Sequence, residues 1–110
     1  MYIITSEQLQ EMFESPACRS YYAVGSSRCA MGKVIDAACG AGSAARIVYN
    51  EGHWEFPSNV EGFLVELEHK GITSLKVATI NDANGDLTEN HRKALRFTLQ
   101  KGVEAGIFKI

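Results

Sequence analysis

The chain has 110 residues, of which 45% are apolar and 9% aromatic, the composition of one globular domain able to bury a core. Its 11 basic and 13 acidic side chains leave a net charge of -2, so no field drives the whole molecule onto nucleic acid or an anionic membrane. No apolar run approaches the ~20 residues of a membrane span, and the N-terminus lacks the basic and long apolar regions of a secretory signal.

Three cysteines (Cys18, Cys29, Cys39) without Cys-x-x-Cys spacing argue against a disulfide framework and a zinc knuckle. The expectation is a single compact domain, 1–110, in a reducing, cytoplasmic setting. Thr5 with Gln8 forms a capping box, and Leu9, Met12 and Phe13 follow as one helical stripe, which Ser15-Pro16 should end. The loop Gly25-Ser26-Ser27 offers a serine cap for a second helix. Ala30, Met31, Val34, Ile35 and Ala38 would form its buried face, and Gly40 its end. Residues 43–50 carry two signals: Ser43-Ala44-Ala45-Arg46 favours helix, whereas Ile47-Val48-Tyr49 favours strand.

Ser58 with Glu61 makes a better capping box. It opens the clearest helix, with Val60, Phe63, Leu64 and Leu67 on one stripe and Gly71 as the stop. Leu75 to Ile80 alternates as a strand would and runs into the turn-rich Asn81-Asp82-Ala83-Asn84-Gly85-Asp86. Asp86 or Thr88 can cap a last helix through Lys101. Gly102 and Gly106 loosen it before the apolar end, Ile107 to Ile110. The expected fold is α+β, mostly helical with a small sheet.

The run Val34-Ile35-Asp36-Ala37-Ala38-Cys39-Gly40-Ala41-Gly42 resembles the first motif of class I methyltransferases. That resemblance implies a strand ending in an acidic residue and a glycine turn against S-adenosylmethionine, with Asp36, Gly40 and Gly42 lining the cofactor. Gly40 to Ala45 also fits a G-x-G-x-x-A dinucleotide pattern. Against both, the surrounding alanines favour helix. A βαβ unit also takes ~30 residues, too many for a five-stranded sheet in this length. A helix with a glycine cap, and no cofactor, is the preferred expectation.

Asp82, Asn84 and Asp86 imitate the first three ligands of a calcium loop. The sixth and twelfth positions hold Leu87 and Lys93 where that loop needs Gly and Glu. A turn and a helix cap is therefore expected rather than a metal site. Cys29 stands near a predicted helix N-terminus, where the dipole lowers a thiol pKa, with His53, His91 and Asp82 available as base and orienting group. The preferred expectation is a core thiol that reacts slowly.

Charge is uneven. Glu51, Glu55, Glu61, Glu66 and Glu68 precede a basic last helix bearing His91, Arg92, Lys93, Arg96 and Lys101. A basic helix can touch phosphate, but the net negative charge favours two solvated faces that pair with each other. Glu66, Glu68, Arg92 and Arg96 are the candidate partner contacts.

Arg28-Cys29-Ala30-Met31-Gly32 opening a helix, with Ile80-Asn81-Asp82 before a closing helix, resembles small domains of phage and bacterial genomes that read Arg-Cys-Ala-x-Gly early and Trp-Asn-Asp late. The likeness spans roughly residues 28–100, with Ile80 in the place of the tryptophan. It implies Cys29 on a helix and a phage source, in which case the host cytoplasm is the location. It brings no activity of its own, but small phage proteins frequently bind and inhibit a host protein. The functional expectation is therefore a non-enzymatic protein-binding domain, a phage accessory protein or inhibitor. The alternatives are an S-adenosylmethionine-binding methyltransferase remnant and a small cysteine-dependent enzyme.

Overall fold

A computed structural model describes residues 1–110. In chain order the elements are β1 (Tyr2–Ile3), α1 (Ser6–Glu14), β2 (Ala23–Val24), β3 (Ser27–Arg28), α2 (Ala30–Cys39), a 3-10 turn (Ala44–Arg46), β4 (Val48–Asn50), β5 (His53–Glu55), α3 (Ser58–His69), α4 (Ser74–Asn81), α5 (Leu87–Glu104) and β6 (Phe108–Lys109). The fold is α+β and mainly helical. In place of one small sheet there are three separate two-stranded ribbons: β1 parallel to β6, and the hairpins β2–β3 and β4–β5. No helix is long and apolar enough to cross a membrane.

The core is one cluster in which α2 is central and buried along most of its length, from Ala30 to Ile35. Around it α3 contributes Val60, Phe63 and Leu67, and α5 contributes Ala94, Leu95 and Leu99. The two chain ends meet in the β1–β6 pair, where Tyr2 stands opposite Phe108 and packs edge-on against Phe63 at 5.0 Å. A radius of gyration of 12.7 Å shows that this cluster draws the whole chain together, since a folded chain of this size is expected at about 13 Å.

Helix boundaries follow local chemistry, with four departures from the sequence reading. The Thr5–Gln8 capping box is present in both directions, and α1 ends before Ser15-Pro16. α2 begins on a sulfur rather than a serine. Cys29 is its N-cap, its Sγ accepting from the Gly32 amide at 3.3 Å, and Ser27 belongs to β3 instead. α3 starts at Ser58 behind Pro57, with no side-chain cap bond, so Ser58 and Glu61 do not form the expected box. Pro57 has no amide hydrogen to leave unsatisfied, and its fixed φ suits the entry to a helix.

The third departure is the largest: residues 74–81 are helix, not strand. Thr73 caps this helix by accepting from the Lys76 amide at 3.1 Å. Val77 and Asn81, four apart, face inward, while Leu75 is 77% exposed. A strand would have buried Leu75, Val77 and Thr79 together; the helix buries every fourth residue instead. α5 runs three residues past Lys101. Gly102 is packed inside its last turn, and the Schellman bonds at Gly106 (φ 75°) end the helix, Ile107 N–H to Gly102 O at 2.8 Å and Gly106 N–H to Val103 O at 3.1 Å.

Lys33, on the central helix, is buried and donates from Nζ to the carbonyls of Met12 (2.5 Å) and Ser15 (2.7 Å) at the end of α1. Burial holds its pKa down at about 8, and the two carbonyls supply what water no longer does. Gly32, in the first turn of α2, lies against the backbone carbonyl of Tyr22, with no room for a Cβ. Gly32→Ala is therefore expected to cost about 2 kcal/mol through overpacking, despite the better helix propensity of alanine. A denaturant titration checks this; a gain in stability would contradict the contact.

Candidate functional site

The site grows out of Asn81, the last residue of α4, which is fully buried. Its Oδ1 accepts from the Ala30 amide at the start of α2 (3.0 Å), so the same oxygen, 2.7 Å from His91 Nδ1, must also accept there. His91 is thereby fixed as the Nδ1–H tautomer. The Asn81 amide nitrogen donates to the Cys18 carbonyl and to Asp82 Oδ1, both at 2.9 Å. Asp82 Oδ1 accepts in addition from the Ser20 amide at 3.2 Å. Asn81 and Asp82 thus staple the segment 18–22 onto the end of α4. Ser20, in that segment, holds a left-handed φ of 68°, a conformation that persists only where surrounding bonds over-determine it.

The stapled segment delivers Tyr21 and Tyr22 to the hairpin β4–β5. Trp54 is met edge-on by Tyr22 at 5.0 Å and by Tyr21 at 6.0 Å, and its cross-strand partner Tyr49 lies at 4.8 Å. Phe56 backs Tyr22 at 5.7 Å. Tyr21 is 51% exposed and Tyr49 55%, and Val48 on the same hairpin is also exposed. Beneath the rings lies a pocket of about 90 Å³ that Tyr21, Tyr22 and Trp54 share with Cys29, Met31 and Asp82.

None of these aromatic residues was singled out by sequence. The signal available was the alternation from Ile47 to Phe56 around Glu51-Gly52. The turn takes positive φ at both central residues (50° and 86°), and a glutamate there hides it.

The structure scatters most of the other candidates. Asp36 does not end a strand: it lies in the last part of helix α2, as the alanine-rich context led one to expect. Its Oδ2 accepts from Arg28 Nε at 3.0 Å, and its Oδ1 accepts from the Ala44 amide at 2.8 Å. Gly40 caps that helix with φ 115°, and Gly42 follows in the loop. The carboxylate of Asp36 therefore fastens the turn after the helix.

In the loop 81–86, Asp86 Oδ1 caps α5 by accepting from the Glu89 amide at 3.0 Å, so the expected cap is Asp86 and not Thr88. Asp82 Oδ1 is engaged as above. Arg19 Nη2 donates to the Gly85 carbonyl at 2.8 Å, and Asn90 Nδ2 donates to the Ala83 and Asn84 carbonyls. These bonds use one carboxylate oxygen each of Asp82 and Asp86 and the backbone carbonyls of Ala83, Asn84 and Gly85. No group of three or more His, Cys, Asp or Glu side chains is placed to hold a metal ion.

Cys29 stands at the helix N-terminus, as expected, but as a half-buried cap rather than a core thiol. Burial pushes its thiol up to about 12, outweighing the Gly32 and Met31 amides that pull it down. His91 Nδ1 bonds Asn81, and His53 sits beside Glu55 on the hairpin. No hydrogen bond joins either ring to the thiol. All three cysteines are free, and burial raises the other two as well. In the native protein at neutral pH, alkylation of Cys29 is expected to be slow, at the rate of local or global opening. Peptide mapping after timed alkylation reads this, and labelling as fast as a free thiol would contradict it.

Glu66, Glu68, Arg92 and Arg96 are all exposed, on α3 and α5. Both faces are solvated, as expected, and no ion pair joins them. The ion pairs are Arg28–Asp36 and Lys101–Glu104; His53 Nε2 lies 3.4 Å from Glu55 Oε1, and Glu66 accepts from the Tyr2 hydroxyl at 3.2 Å. Comparison of the chain with known protein families, with curated proteins and with solved structures finds no match.

Proposed function

We propose that the protein is a small, non-enzymatic protein-binding domain whose contact surface is the face formed by Tyr21, Tyr49 and Trp54. The observation that carries this reading is the exposure of the two tyrosine rings beside half-buried Trp54. Two tyrosines about half open to solvent, packed edge-on and tilted against one tryptophan, leave apolar ring surface that water does not favour. Tyrosine and tryptophan are also the side chains that dominate binding energy at interfaces. Chemistry at Cys29 is the weaker reading, because a capping thiol held near 12 is not a nucleophile at neutral pH.

In this reading the unpaired charges Glu66, Glu68, Arg92 and Arg96 steer the encounter rather than hold the complex. The phage-like motif at residues 28–32 supports a role as an accessory protein or inhibitor, with the partner sought among bacterial host proteins in the cytoplasm. Affinity capture from a bacterial lysate, followed by mass spectrometry, is the test. A specific protein should be retained by the native chain and lost by a folded Tyr21→Ser, Tyr49→Ser double variant. Retention of the same protein by both would reject the aromatic face as the contact.

A further inference from the structure

We propose that the pocket beneath the aromatic face receives the ammonium group of a lysine side chain presented by the bound protein. This deepens the surface reading above and rests on it for the source of the lysine, but not for the chemistry of the pocket. Three aromatic side chains line the cavity, Tyr21, Tyr22 and Trp54, and both tyrosines stand edge-on to the indole, at 78° and 87°. The three rings border one small volume, and a ring face attracts a cation placed within about 6 Å.

Charge points the same way. Asp82 is the only charged side chain lining the pocket, which contains no lysine, arginine or histidine. Both hydrogen bonds that Asp82 accepts fall on Oδ1, and it takes part in no ion pair. One carboxylate oxygen is therefore uncommitted beside the aromatic rings. An uncharged apolar side chain in this cavity would strip water from that carboxylate without replacing it. A cation satisfies it.

The geometry also selects among cations. Guanidinium prefers a carboxylate with both oxygens free, for its two parallel bonds, and Asp82 offers one. An ammonium is a compact donor that needs only one. The cavity, about 90 Å³, suits a side-chain head and falls below the few hundred Å³ of pockets for larger ligands. The site is built rather than incidental. Asp82 is held by Asn81 from a fully buried position, and strained Ser20 closes the rim under the same carboxylate.

Trp54 is the only tryptophan of the chain, so its fluorescence reports the pocket directly. The probes are N-acetyl-lysine methylamide and, as the uncharged equivalent, N-acetyl-norleucine methylamide. The lysine probe should give a saturable change in the millimolar range, as one side chain alone allows, and the norleucine probe should give none. Asp82→Asn keeps the acceptor for Ser20 and Asn81 but removes the charge; it should weaken the lysine probe about tenfold. Tyr21→Leu, at an exposed position, should weaken it as well. No saturable response to the lysine probe, equal responses to both probes, or an Asp82→Asn variant that binds as the native chain does would each overturn the inference. A null titration overturns the pocket even if the double tyrosine variant still loses its captured protein. Saturable, charge-dependent binding supports the pocket even if that variant retains the protein, which would overturn the surface reading alone.

Discussion

Asn81→Ala is expected to destabilise the fold by about 4 kcal/mol, a large share of the 5–15 kcal/mol available to a domain of this kind. The side chain is fully buried and answers four groups at once: the Ala30 amide, His91 Nδ1, the Cys18 carbonyl and Asp82 Oδ1. Alanine leaves the first three without their partner and adds a cavity. Each buried polar group left unsatisfied costs about 1–3 kcal/mol, although the losses overlap because small rearrangements and water repair some of them. Urea unfolding of the two proteins measures the difference. A loss below about 1 kcal/mol would mean that Asn81 does not organise the site, since that is no more than an ordinary point substitution costs.

The second large effect is on pH. His91 is 2% exposed, its Nδ1–H donates to Asn81, and its Nε2 has no partner. Burial, with the nearby positive charges of Lys33 and Arg92, lowers its pKa from 6.5 to about 4. The neutral ring is thus the folded form. Between those values the unfolded chain binds a proton that the folded chain refuses, so stability falls as pH drops from 6.5 towards 4 and is unaffected by this group above 6.5. The displacement corresponds to about 3 kcal/mol at the acid end.

Carboxylates titrate in part of this window, so the informative comparison is with His91→Leu. That variant should lose stability at neutral pH, with a flatter profile between pH 6.5 and 4 than the native chain. Unfolding free energies at a series of pH values provide the check. Parallel profiles for the two proteins would contradict a buried neutral imidazole.

How far the sequence could be read follows from which forces act locally. The capping box at Thr5, the stop at Ser15-Pro16, the stripe of Val60, Phe63 and Leu67 and the cap at Asp86 are short-range chemistry, and each appears where the pattern put it. α4 was misread because Leu75-Lys76-Val77-Ala78-Thr79-Ile80 alternates and carries β-branched residues. Tertiary demand overrode that pattern: Asn81 must reach Ala30 and His91, and the helix buries it with Val77 while leaving Leu75 and Thr79 outside. Lys33 was invisible for a related reason. Its carbonyl partners sit at the end of α1, eighteen or more residues away.

The candidate site was the least legible part. Cys29 and Asp82 were named for catalysis, and the structure does bring them to one pocket, but with the thiol protonated and the histidines engaged elsewhere. The aromatic face is assembled from residues 21–22, 49 and 54, by a turn with a left-handed glutamate and by an asparagine some 60 residues from the segment that it holds. No local pattern encodes that meeting.

The central claim, that the protein works by binding through the aromatic face and not through its thiol, is tested most directly by one measurement: the equilibrium affinity of the captured partner for a set of folded variants. Tyr21→Ser with Tyr49→Ser should weaken binding by thirtyfold or more, about the 2 kcal/mol that marks an interface hot spot. Cys29→Ala should leave the affinity within a few-fold of native. The charge reversals Glu66→Lys with Glu68→Lys, and Arg92→Glu with Arg96→Glu, should act mainly on the association rate and its salt dependence. A folded Cys29→Ala variant that no longer binds, beside a double tyrosine variant that binds as the native chain does, would contradict the account.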